Sequence, residues 1–158
     1  MIRPLRHETE RYGEYSKPGE SVYDHPFLWG SRRIGPDLAR EGGKYPDLWH
    51  VRHMEDPRSI TAKSIMPTYA HMLRNPLDFA VIQKRVDAMA MLGVPYGDAV
   101  KDGAAPAMAH AQARTIAASI ESQGGPKGLE DKEIVAMVAY LQRLGQDIKK
   151  VTVAEAHR

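Results

Sequence analysis

Met66 sits between an isoleucine and a proline in "KSIMPTYAHML" (residues 63–73), and its sulfur is open to two uses. A methionine thioether fills irregular gaps in cores, or it ligates a soft metal ion. Pro67 lacks an N–H, has a fixed φ and discourages helix at the residue before it. The sulfur is therefore presented from a constrained, extended segment rather than from a helix stripe. Spacing alone leaves open whether it plugs the core or meets a metal. His50 and His53, three residues apart on a predicted helix, are the other candidate ligands, since i and i+3 share a face. No third ligand of clear spacing joins them, and His25 precedes Pro26 in a loop without a motif. There is no Gly-rich phosphate loop after a strand, and no serine sits in a nucleophile elbow. Met89, Met108 and Met137 stand at helical core spacing and are expected to pack inward.

The elements that position these residues follow from punctuation and periodicity. The first 47 residues carry Gly or Pro every few positions, yet they hold Tyr15, Tyr23, Phe27, Trp29 and Tyr45. A disordered tail is poor in such aromatics. The segment reads as ordered loop, with a helical turn over Pro36 to Glu41. Pro46 opens a short helix from Asp47 to Met54, which Asp56-Pro57 stops. Asn75 and Pro76 start a second helix that carries Phe79, Ile82, Val86 and Met89 and ends at Gly93. A third runs from Pro106 to Ser122, with Met108, Gln112, Ile116 and Ile120 as its stripe. The last has Glu130, Asp131 and Glu133 at its start. Its apolar face is Ile134, Met137, Val138, Leu141 and Leu144, and it closes at Arg143 and Gly145. No stretch alternates for long enough to propose a sheet, so the fold class is all-α.

Composition narrows the function. The chain of 158 residues suits one domain, expected over 1–150, followed by a tail over 151–158. Hydrophobic residues make up 42% and charged residues 27%, and the formal net charge is +2, so no nucleic-acid surface is indicated. No uncharged apolar run reaches the roughly 18 residues of a membrane helix, and no signal segment opens the chain. Cysteine is absent. That excludes disulfides, thiol catalysis, zinc-thiolate sites and thioether attachment of haem within these residues.

A "GPDL" turn, Trp49, "SIMPTY" and a closing "VAYLQRLG" helix, in that order, resemble a class I c-type cytochrome domain. The first sixty residues with "SIMPTY", "LGVPY" and "VAYLQRLG" look like the mono-haem subunit II of cbb3-type cytochrome c oxidases, the FixO/CcoO family. Residues 98–128 are the least specific part of the resemblance. It implies haem c, with Met66 as the axial ligand opposite a histidine. A weak, soft thioether favours Fe(II) and raises the potential. Gly35 and Pro36 match the turn that lies against the proximal histidine, where a carbonyl can accept its ring N–H. Trp29, Tyr45 and Trp49 are expected as pocket walls, with Ile65 and Tyr69 beside the ring. Arg32 and Arg33 either meet the propionates or are simply solvated.

The resemblance also implies a non-enzymatic electron-transfer subunit. Its partners are the catalytic subunit I and the complex's other cytochrome c subunit, on the periplasmic side of a bacterial inner membrane. In the family a membrane anchor and a Cys-x-x-Cys-His motif precede the residues matching "MIRP". The expectation is therefore that Met1 is an internal methionine of a longer protein, and that this piece carries no covalent haem. Two other classes fit the same residues: a haem-free binding or assembly module, and a metalloprotein built on His50 and His53.

Overall fold

The computed structural model describes residues 2–25, 29 and 40–146. They form α1 (Arg6–Tyr12), α2 (Asp47–Glu55), α3 (Pro57–Ile60), α4 (Ile82–Met91), α5 (Ala105–Ser122) and α6 (Glu133–Arg143), joined by short 3₁₀ turns. Among the described residues the only bridge outside helices pairs Pro76 with Lys132, and the class is all-α as expected. No helix among them is long and apolar enough to cross a membrane. Contacts divide the chain into two compact units, residues 1–44 with 141–158, and residues 45–140.

The first unit is more regular than its sequence suggests. Residues 6–12 (RHETERY) form α1, although they carry no apolar stripe. Anchors at its ends hold it instead. Ile2, 3% exposed, donates its N–H to Ser16 Oγ at 2.8 Å, and Ser16 N–H returns to the Ile2 carbonyl at 2.9 Å. The buried Glu8 carboxylate accepts the Arg3 backbone N–H at 2.8 Å and ion-pairs with its guanidinium. An unpaired carboxylate there would be costly. Arg40 ties residues 14 and 20 together, through the Glu14 carbonyl at 2.6 Å and the Glu20 carboxylate at 3.0 Å. The chain's other end closes the unit. Gly42 N–H donates to the Leu144 carbonyl at 2.9 Å, and Gly43 N–H to Gln142 Oε1 at 2.8 Å. A Cβ on Gly42 would collide with the carbonyls of Gln142 and Leu144, so only glycine allows this approach.

In the second unit, α2, α5 and the start of α6 enclose a core of Leu48, Val51, Ala113, Ile120, Leu129, Ile134, Val135 and Val138. Two expectations change here. The second long helix does not begin at Pro76. Leu77 N–H donates to the Asp131 carbonyl at 2.7 Å and Glu133 N–H to the Asn75 carbonyl at 3.1 Å. This pairing holds residues 75–77 extended, and the α-helix starts only at Ile82 after a 3₁₀ turn over Phe79–Val81. The buried face of α5 is only in part the one expected: Ile120 is buried and Ile116 packs against the core, but the first half of the stripe does not. Met108 is 49% exposed and Gln112 is exposed, while Ala105, Ala113, Ala117 and Ile120 face inward. Alanines let the helix approach α2 closely; the larger Met108 stays out. Met89 and Met137 are partly buried.

Residues after α5 seat α2. Gln123 Oε1 accepts the Leu48 N–H at 3.0 Å, which satisfies one of the free donors at the start of α2. Gly125 packs so tightly that a Cβ would lie 2.5 Å from Ile120 Cγ2 and 2.7 Å from Leu48 Cδ1.

Candidate functional site

The segment from Tyr45 into α2 lines up rings at four-residue spacing. Tyr45, Trp49 and His53 recur on one helical face. Trp49 lies nearly parallel to Tyr45, with ring centres 4.0 Å apart and 12° between planes, and to His53 at 4.8 Å and 8°. The three rings form a column. His50 meets this column edge-on, 5.3 Å from Trp49 at 89° and 6.2 Å from Tyr45 at 84°.

His50 is only 2% exposed, and its Nε2 has no hydrogen-bond partner; buried His53 Nδ1 has none either. Burial holds the His50 pKa below the ordinary imidazole value, against an opposing pull from Asp47 and with a smaller push from His53. The ring is therefore neutral near pH 7, and each orphaned nitrogen carries an unmet desolvation cost. The four-residue spacing was visible in the sequence. The orphaned nitrogens depend on burial, which spacing does not reveal.

The loop over 61–69 presents Met66. Ser64 N–H donates to the Thr61 carbonyl at 2.8 Å, and the Met66 N–H to Ser64 Oγ at 3.2 Å. Beyond Pro67, Tyr69 N–H reaches back to the Met54 carbonyl near the end of α2 at 2.7 Å. Met66 is half-buried, and Ile65 beside it is 95% exposed. The structure thus joins the Met66 loop to the helix that carries Trp49, His50 and His53.

Trp29 belongs to the first unit, where its indole N–H donates to the Ser16 carbonyl at 3.1 Å. Gly35, Pro36, Arg32 and Arg33 lie outside the described residues, as does most of the turn expected over Pro36 to Glu41. Among the described residues no group of three or more His, Cys, Asp or Glu could hold a metal ion. His50 and His53 therefore remain a pair without a third such ligand there.

What these residues offer together is a stacked aromatic column, a buried imidazole set edge-on to it and a thioether on a tethered loop. A family model described as cytochrome C oxidase, mono-heme subunit/FixO matches residues 1–148. No curated protein matches the chain. The matched span includes all six helices, the ring column and the Met66 loop. On that match, the chain belongs to the FixO family of cytochrome c oxidase mono-haem subunits.

Proposed function

We propose that this chain is the haem-binding electron-transfer part of a cbb3-type oxidase. In this reading it relays electrons from the complex's other cytochrome c subunit toward the haems of the catalytic subunit, on the periplasmic side of the membrane, and catalyses no bond chemistry itself. The observation that carries the reading is the link between Tyr69 and Met54, which fixes the Met66 loop against the ring-bearing α2.

The residues fit the group. A haem is flat and apolar over most of its area, with polar carboxylates at one edge. The stacked column of Tyr45, Trp49 and His53 offers an aromatic side, His50 a buried nitrogen without a partner, and Met66 a soft sulfur. In this assignment Met66 would ligate the iron, and Trp49 and Tyr45 would form part of the wall. When bound, the haem would supply one-electron Fe(III)/Fe(II) chemistry, and a thioether ligand would raise its potential. The protein's part is to bind, orient and exclude water. Covalent attachment needs cysteine sulfurs, and the 158 residues contain none.

The test places a Cys-x-x-Cys-His segment in front of Met1 and expresses the protein in a host that matures c-type haem. The oxidised protein shows the weak red-region charge-transfer band of His/Met ligation. Met66→His abolishes the band and lowers the potential. Met54→Leu and Met72→Leu leave both nearly unchanged, because these methionines pack against the core. Loss of the band through Met54 or Met72 instead refutes the assignment.

A further inference from the structure

Both faces of the Trp49 indole are covered. Tyr45 lies on one, with ring centres 4.0 Å apart and 12° between planes, and His53 on the other at 4.8 Å and 8°. His50 meets the indole edge-on at 5.3 Å. All four residues belong to the one compact unit over residues 45–140. Tyr45 and Trp49 are each half-buried, so water still reaches the pair. A species that must bond to a ring face finds none open on Trp49. Loss of an electron needs no such access, and indole and phenol are the two protein rings that give one up most readily.

We propose that Tyr45 and Trp49 form a one-electron relay, in which Tyr45 re-reduces Trp49 after a one-electron-oxidising radical has taken an electron from it. The relay needs no haem and stands independently of the haem reading. In the first step the radical is reduced to its anion, and the indole N–H proton passes to water, leaving a neutral indolyl radical. In the second, Tyr45 gives an electron to the indolyl ring, the phenol proton passes to water, and the indole nitrogen takes a proton back. The sum is a reduced oxidant, an intact Trp49, a Tyr45 phenoxyl radical and one proton released. Electron exchange between rings falls steeply with separation, and stacked contact is its most favourable case. Direction follows from chemistry. Imidazole is far harder to oxidise than phenol, so the vacancy moves to Tyr45 and not to His53, whose ring serves to shield the second face. The relay spares the indole from slower, irreversible oxidation.

The experiment is pulse radiolysis with the azide radical, which oxidises indole faster than phenol. It uses the 158-residue chain with Trp29→Phe, so that Trp49 is its one tryptophan. The indolyl absorbance decays in a first-order phase whose rate does not change with protein concentration, and the phenoxyl absorbance grows at the same rate. Tyr45→Phe, which keeps a ring for the stack, loses that phase, while Tyr69→Phe retains it. In the chain that keeps Tyr45, urea unfolding takes the rings out of contact and slows the phase. An indolyl radical that decays only by encounters between molecules overturns the relay. So does a phase that survives Tyr45→Phe, one lost with Tyr69→Phe, or one whose rate is the same in urea.

Discussion

The Tyr69 backbone N–H donates to the Met54 carbonyl at 2.7 Å, joining a loop that has few other bonds to the C-terminal turn of α2. This bond ties the end of the Met66 loop to α2. Amide exchange reads it directly. The Tyr69 amide exchanges slowly and tracks the opening of α2, while the Lys63 and Ile65 amides exchange rapidly. Equal rates at Tyr69 and Ile65 would show that the loop is not held at this point.

Gly125→Ala destabilises the protein by about 1–3 kcal/mol, the usual cost of overpacking a filled core. Its new methyl group meets Ile120 Cγ2 and Leu48 Cδ1, one from α5 and one from α2. Gly19→Ala, in open space, stays within about 0.5 kcal/mol. Urea denaturation of the two variants separates them, and similar midpoints would contradict the packing described around Gly125.

Gln123→Ala costs about 1 kcal/mol, because the Leu48 N–H loses its acceptor at the start of α2. Gln123→Glu keeps the acceptor and adds a negative charge near a helix N-terminus, so it recovers most of that loss. The pair is compared by thermal midpoint and by exchange at the Leu48 amide. A Gln123→Glu chain as weak as Gln123→Ala would mean the side chain acts by something other than capping.

Stability depends on pH through His50. Burial lowers its folded pKa below the ordinary imidazole value of 6.5. The unfolded chain therefore takes up the proton first as pH falls. Stability from this group is fully present above about pH 6.5, declines as pH drops through that value, and levels off below the folded pKa. Urea midpoints measured from pH 8 to pH 5 follow this curve, and His50→Leu flattens the part it controls. A midpoint that rises on acidification through this range would reverse the sign and exclude a buried neutral His50.

How much of this was legible depends on what kind of force sets each element. α2 was readable to within a residue, because Pro46 and the Asp56-Pro57 pair bound it by backbone chemistry alone. Ile134, Val138 and Leu141 were readable as the buried face of α6, since large apolar residues at helical spacing mark a core side. The buried face of α5 was readable only at Ile116 and Ile120, because alanines give no contrast and Met108 outweighs them in any count of hydrophobicity. α1 escaped notice for the opposite reason: it has no stripe, and Ile2, Ser16, Arg3 and Glu8 hold it through bonds between positions that are local only in space. At the candidate site the sequence pointed to Tyr45, Trp49, Met66 and the two histidines by type. That Trp49 is sandwiched between Tyr45 and His53 is a matter of spacing, whereas that His50 is left without a partner follows only from burial.

The unit made of residues 1–44 and 141–158 also bears on the order of events during synthesis. A ribosome delivers residues 40–44 well before residues 141–146, so Gly42 waits for the Leu144 carbonyl until the stretch between them has been made. Residues 45–140 have no such delay, because their core is drawn from one uninterrupted stretch. Residues 45–140 can therefore fold while they are being made, and the stretches on either side of them must be joined afterwards.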